Sequence, residues 1–360
     1  MVFYPELLKF NDGSDVGCTK CWSRRREEIL EILQREEYGY VPKLPETVHG
    51  EILSGQDPED VRCCSGHAEL LRLRISFDAE KGPFSFPMHL FRPEGKEKAP
   101  LILLLNFRPD VYDKYYPAEE IIDHGFALGV IYYEDVTKDN GDLADGLAGL
   151  YERRNDGTDW GKLAMWGFAA RCAMSYLETL PFIDRENVAL AGHSRLGKAA
   201  LLASAMDGRF KFTISNDSGC CGAAYERGKH PGGETVADIT RVFPFWFCGN
   251  MKKYAGRPEE MPFDQHFLLS LIAPGYLLVG SASGDLWADP VSEEDSCRAV
   301  TPVWKLYGKE GYLGGDGPCE TNGSFDAGTI AYHKRDGIHF LGRQDWLRYM
   351  DFMEKHLDRP

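Results

Sequence analysis

The chain has 360 residues, 43% hydrophobic and 12% aromatic, enough to bury a large core, and no low-complexity or Pro/Gly-rich stretch divides it. One domain is expected over residues 1–360, with 1–98 an N-terminal helix and antiparallel strands and 99–360 a parallel-sheet core. A formal net charge of −15 makes phosphate backbones and anionic lipid surfaces poor partners, so neither nucleic acid nor membrane binding is expected.

The opening MVFYPELLKFNDG lacks the basic cluster, apolar core and small-residue cleavage site of a signal peptide, and no run of about 18 apolar residues occurs anywhere. A cytoplasmic protein with reduced thiols is expected, or a secreted one if a leader has been removed. Cys18 and Cys21 form a lone C-x-x-C that no second pair completes, so no zinc site is expected. From Trp22 to Tyr38 the spacing of Ile29, Leu30, Ile32 and Leu33 predicts a surface helix, with Gly39 as its stop.

Between Val48 and Arg92, Leu71, Leu73 and Ile75 alternate with polar residues, as do Phe84, Phe86, Met88 and Leu90, which predicts antiparallel strands around a turn at Lys81-Gly82-Pro83. His89 falls on the other face of the second strand, as a solvated residue. Leu101 to Leu105 is continuously apolar, as a strand covered by helices on both faces must be, so the parallel sheet begins here. A helix over Pro117 to His124 and a strand over Ala127 to Tyr133 follow. The linker Asn106-Phe107-Arg108-Pro109-Asp110 occupies the place where hydrolases of this layout supply a second oxyanion N–H, which puts Phe107 there.

Glu134 to Trp160 is Gly/Asp-rich and too long for an ordinary connection, which predicts a loop over the active-site face. Its Asp-Asn-Gly-Asp run, from Asp139, lacks the closing glutamate of a calcium loop. Leu163, Trp166, Ala170, Met174 and Leu177 then keep helical spacing, and their large side chains read as core.

Asn187 to Met206, NVALAGHSRLGKAALLASAM, is a short apolar strand, a tight turn and an Ala/Leu-rich helix, with Ser194 at the tip. Such a turn lifts a serine hydroxyl clear of the sheet and aims the helix's unpaired N–H groups at what it attacks. The second glycine of the usual G-x-S-x-G is one place late, at Gly197. Downstream, strands over Phe210 to Ser215 and Leu277 to Gly280 end in Asp217 and Asp285, two candidate acids on the edge that carries Ser194. A last strand, Thr329 to Tyr332, leads to His333 and His339. His339, in the loop before a final helix, reaches towards the serine more easily than its rival His333, at the strand's end.

Serine is a poor nucleophile without a base, and an imidazole base needs an acid to fix its tautomer. The order Ser194, then Asp217 or Asp285, then His339 is the one associated with the α/β-hydrolase fold, a three-layer sandwich with a mostly parallel central sheet. The bland alternative, a serine that merely caps its helix, loses because acid and histidine fall at strand ends in the expected order. Arg195 and Lys198 set two cations within one turn of the nucleophile, suited to an oxyanion and to an acidic or polyhydroxylated substrate. Trp287 reads equally as a sugar-stacking platform or as core.

GHSRLGK resembles the G-x-S-R-x-G-K motif of the glucuronoyl esterases, carbohydrate esterase family 15, and the likeness runs from the helix with Trp22, Arg24 and Arg25 to the terminal helix. It implies a serine esterase for glucuronoyl or 4-O-methyl-glucuronoyl esters, without metal or organic cofactor. On it, Ser194 is the nucleophile, Arg195 stabilises the oxyanion, Lys198 and Glu234 contact the uronate, Trp287 lies on the sugar side and His339 is the base. Family members take the acid from either of two places, here Asp217 and Asp285. Secreted fungal members have a disulfide-bonded cysteine where His193 stands. An acetyl xylan esterase of the same mechanism, or a non-catalytic sugar-binding relative, is the alternative. Uronate esters that join xylan to lignin alcohols are extracellular, so a cytoplasmic member would meet imported oligosaccharide esters.

Overall fold

Every second residue of the apolar run enters a different core: Leu101, Leu103 and Leu105 pack into one, Ile102 and Leu104 into the other. A strand with both faces covered sits inside a sheet, and in the computed structural model this one lies near its middle. Residues 2–53, 63–108, 110–111, 115–315 and 317–358 are described. Pro109 and residues 54–62, part of the stretch expected to form antiparallel strands, lie outside them.

Among the described residues ten strands form one sheet: β1 (His49–Ile52), β2 (Ala68–Ala79), β3 (Gly82–Pro93), β4 (Ala99–Asn106), β5 (Ala127–Tyr132), β6 (Ile183–His193), β7 (Phe212–Asn216), β8 (Tyr276–Ala282), β9 (Gly323–Phe325) and β10 (Ile330–Arg335). Their order is β1-β2-β3-β5-β4-β6-β7-β8-β10-β9. From β5 to β10 neighbours run parallel, while β1, β2, β3 and β9 join antiparallel. The chain leaves β4 first for β5 and then returns to place β6 on its other side. This is the strand order of the α/β-hydrolase fold, and its reversal of direction brings the ends of β4 and β6 together as a ligand-binding edge.

Helices α1 (Thr19–Leu33), α2 (Ala118–Asp123), α3 (Lys162–Leu177), α4 (Arg195–Met206), α5 (Val236–Val242), α6 (Gln265–Ser270), α7 (Pro290–Leu306) and α8 (Arg343–His356) make the outer layers. The apolar faces of α1, α3, α4 and α7 fill one core, those of α2 and α8 the other. Helix α1 ends at Leu33, five residues before the expected stop, and continues as one π-helical turn, Gln34–Tyr38, that buries Glu36, Glu37 and Tyr38. Among the described residues no helix is long and apolar enough to cross a membrane.

The long connection after β5 is held by a charge inside the protein. Lys162, the first residue of α3, is fully buried, and its ammonium donates to Lys138 O (2.6 Å), Asp142 O (2.7 Å) and Asn140 Oδ1 (3.3 Å). The Asp139–Asp142 run therefore lies around a cation, one supplied by a side chain. Trp166 Nε1 adds a bond to Thr137 O at 3.0 Å. Replacing Lys162 with Met removes the three hydrogen bonds that its buried ammonium makes to the loop. It is expected to lower the unfolding free energy by about 3 kcal/mol, read as a drop in urea midpoint at constant m value; an unshifted midpoint refutes the tether.

Candidate active site

Ser194 joins β6 to α4 in a backbone conformation, φ 58° and ψ −129°, that L-residues rarely adopt. Two glycines make the turn possible. A Cβ on Gly192 would lie 2.1 Å from Leu196 O, and one on Gly197 would lie 3.1 Å from Gly192 O, Ser215 Oγ and Ser218 Cβ. The tight approach is made at 197 by the first turn of α4 against the end of β7, which is why the second glycine comes one place late. Ser194 N–H is bound to Asn216 O at 2.8 Å, so the neighbouring parallel strand fixes the tip.

His339 stands between Ser194 and Asp285. Its Nε2 is 2.9 Å from Ser194 Oγ, and its Nδ1 donates to Asp285 Oδ2 at 2.5 Å. Asp285 is buried, caps the turn Leu286–Ala288 and sits just beyond β8. Asp217, the other candidate acid, lies near this group but is engaged elsewhere. Its Oδ1 accepts from Ala282 N at 2.7 Å and its Oδ2 faces Arg335 Nη2 at 3.4 Å. Burial, with Glu293, Asp285 and Asp345 close by, pushes the Asp217 carboxyl well above the ordinary range.

His333 is not at the end of its strand but inside it, because β10 continues to Arg335. It is buried and donates from Nε2 to Asp345 Oδ1 at 2.8 Å, away from Ser194. His193 occupies the position just before the serine, bonded through Nδ1 to Asn216 Oδ1 at 2.8 Å. Its ring centroid is 4.5 Å from that of His339, and the rings of Tyr115 and Phe107 flank it. Burial first, then the neighbouring His339, lowers its pKa to about 3, so it stays neutral beside the base.

Arg195 lies under three rings, Phe107, Phe243 and Trp246, with its guanidinium carbon 4.7 Å from the centroid of Trp246. Nη1 pairs with Asp139 Oδ2, and the other oxygen of that carboxylate accepts from Trp246 Nε1 at 2.6 Å. The long loop thus reaches the nucleophile through Asp139, a residue singled out by sequence for another reason. Arg195 Nε is buried and has no hydrogen-bond partner among the described residues.

Lys198, one turn into α4, is buried and donates to Ser218 O. Glu234 is nearly buried; its N–H bonds to Trp287 O at 2.9 Å, and burial raises its carboxyl while Lys198 and the Trp287 side chain favour the charged form. Trp287 itself is 53% exposed, so it belongs to the surface and not to the core. On the β4 and β5 side of Ser194, a cleft of about 720 Å³ opens, lined by the rings of Phe107, Tyr115, Tyr132 and Tyr133 and by the charged Arg108, Asp110, Glu134 and Asp135. The groups beyond β8 and this aromatic cleft therefore stand on opposite sides of the serine.

The site carries a serine hydroxyl, an imidazole and a carboxylate in contact, with two cations beside the hydroxyl, an arrangement suited to acyl transfer. Comparison with known proteins agrees. The family described as "Glucuronyl esterase, fungi" matches residues 75–308. The protein named "Carbohydrate esterase MZ0003", from an unknown prokaryotic organism, is 32% identical over 98% of this chain and 89% of its own length. The "4-O-methyl-glucuronoyl methylesterase 1" of Wolfiporia cocos is 26% identical over 86% of this chain and 73% of its own. The glucuronoyl esterase structure from Solibacter usitatus superposes with a TM-score of 0.88 at 33% identity, covering 99% of this chain and 98% of that one. The chain with Ser194 at its strained turn is a carbohydrate esterase and belongs to the glucuronoyl esterase family, carbohydrate esterase family 15.

Proposed function

We propose that this esterase hydrolyses glucuronoyl esters, with or without a 4-O-methyl group, through an acyl-enzyme on Ser194. The observation that carries the proposal is the continuous contact Asp285–His339–Ser194 beside Arg195 and Lys198. His339 takes the hydroxyl proton as Ser194 attacks the ester carbonyl, and Asp285 holds the ring in the tautomer that leaves Nε2 able to accept it. Arg195, through its N–H groups, and the backbone N–H groups at the start of α4 stabilise the oxyanion; Phe107, across the entrance, is the candidate for a further backbone donor. His339 then protonates the departing alcohol, and water, activated by the same imidazole, releases the uronate.

The uronate is assigned to the β8 side. Lys198 spends one donor on Ser218 O and keeps two for hydroxyls; Glu234 accepts from others, and the exposed indole of Trp287 offers a face to a sugar ring. The alcohol is assigned to the cleft lined by Phe107, Tyr115 and Tyr133, whose rings suit an aromatic alcohol. The names of the relatives support a uronate acyl group. The compartment goes with the size of the alcohol: a polymer ester is met outside the cell, an imported oligosaccharide ester in the cytoplasm.

Ser194→Ala is expected to reduce turnover of a benzyl or methyl glucuronate at least about 10⁴-fold with folding intact, measured by release of the acid. Equal turnover in that variant sinks the mechanism, and a preference of the parent for acetylated xylo-oligosaccharides sinks the substrate assignment. Asp285→Asn presents the wrong group to Nδ1 and is expected to cost about 10²- to 10⁴-fold in kcat. The same change at Asp217 is expected to cost less; the reverse ranking would move the acid to Asp217.

A further inference from the structure

His339 sits in a loop without regular structure, 44% exposed at its side chain, next to Ile338, which is 73% exposed. From outside, side chains touch residues 336–340 near the loop's two ends, at Asp336 by Ser283 and Asn322 and at Phe340 by the Tyr115 ring, yet the base must be held to a few tenths of an ångström to reach both Ser194 and Asp285. The restraint comes from beneath. The Arg335 side chain is buried and curls under the loop that its own residue begins. Nη1 donates to Asp336 O at 3.2 Å, and Nη2 donates to Ile338 O at 2.8 Å and to Phe340 O. The two carbonyls nearest His339 on either side are thus bound to one nitrogen.

The guanidinium is itself anchored. Nε bonds Asp345 Oδ2 at 2.8 Å, the oxygen that also accepts from Gly342 N at 2.9 Å, and Nη2 faces Asp217 Oδ2 at 3.4 Å. The acid-bearing loop is tied to the same segment, since Ser283 N donates to Arg335 O (2.9 Å) and Gly284 N to Gly337 O (2.8 Å). A Cβ on Gly337 would lie 2.7 Å from Arg335 Nη1, so the loop closes on the guanidinium as tightly as a glycine allows.

We infer that Arg335 is the positioning residue of the catalytic base: a buried guanidinium around which the 336–340 loop is wound, so that His339 is presented to Ser194 and Asp285 at a fixed height. Asp217 then serves as one more acceptor beside it. Lysine cannot substitute, because a single ammonium on a flexible stem satisfies the charge of Asp345 but not the planar fork shared by three carbonyls. The inference rests on His339 being the base of the proposed esterase reaction.

The test compares parent, Arg335→Lys and Ser194→Ala on methyl glucuronate. Arg335→Lys is expected to lose about 10²-fold in kcat, with KM within about threefold of the parent and little change in melting temperature. If the lysine variant does not fold, Arg335→Gln is expected to give the same split. Arg335→Ala is expected to regain part of its kcat in guanidinium salt, at concentrations that leave the parent folded, and none in ammonium salt. Unchanged kcat in Arg335→Lys overturns the inference, and so does a loss that follows melting temperature without guanidinium rescue. Should Ser194→Ala match the parent, the reaction itself is wrong; an inactive Ser194→Ala beside a fully active Arg335→Lys removes only the positioning role.

Discussion

The conformation of Ser194 is the constraint on which the rest of the structure depends. A serine at φ 58° and ψ −129° stands about 1–3 kcal/mol above its relaxed state and persists only where its surroundings leave no alternative. Here β6 lies between β4 and β7 in the middle of the sheet, Ser194 N–H is bound to the end of β7, and α4 is pressed against that end through Gly197. Relaxing the turn would pull the first turn of α4 away from Ser215 and Ser218 and disturb a core filled from both faces. The hydroxyl is therefore exposed by the sheet itself, and the groups that act with it arrive on the loops after β7, β8 and β10.

Around that turn the chain gathers an unusual amount of buried charge. Asp217, Asp285, Glu293 and Asp345 lie close together, and burial holds Glu293 up at about 7 while Ser281, Ser218 and Gly219 donate to it. Arg335 and Lys198 supply the positive charge, whereas His193 stays neutral. The neutrality of His193 matters chemically. A second cation 4.5 Å from the His339 ring would oppose the imidazolium that the proposed reaction forms there.

The parts of this arrangement that repeat along the chain were readable from it. The apolar run at Leu101–Leu105, the strand-turn-helix around Ser194 and the order of Ser194, then Asp217 or Asp285, then His339 all follow local patterns, because each is tied to the apolar strands of the covered sheet. What could not be read is pairing between distant segments. Asp139 and Arg195 are 56 positions apart, and nothing local tells that carboxylate from its neighbours in an acidic loop. The end of β10 was missed because His333, Lys334 and Arg335 break the apolar pattern, although their strand goes on pairing with β8 as far as Ala282. The burial of His333 and Arg335 is tolerated because Asp345, ten residues beyond Arg335, accepts a hydrogen bond from each. The choice between Asp217 and Asp285 was likewise a question of which oxygen meets one ring nitrogen, and spacing carries no answer to that.

Lys162 has a meaning beyond the bonds it makes. A loop that borrows calcium from its surroundings opens when the ion is diluted, sequestered or displaced, and so responds to the medium. The loop that carries Asp139 to Arg195 has its ammonium delivered covalently by the first residue of α3, at a local concentration that no chelator or competing salt can alter. The loop beside Ser194 thereby needs no bound divalent cation to hold its Lys138–Asp142 turn, and that turn is set when α3 docks.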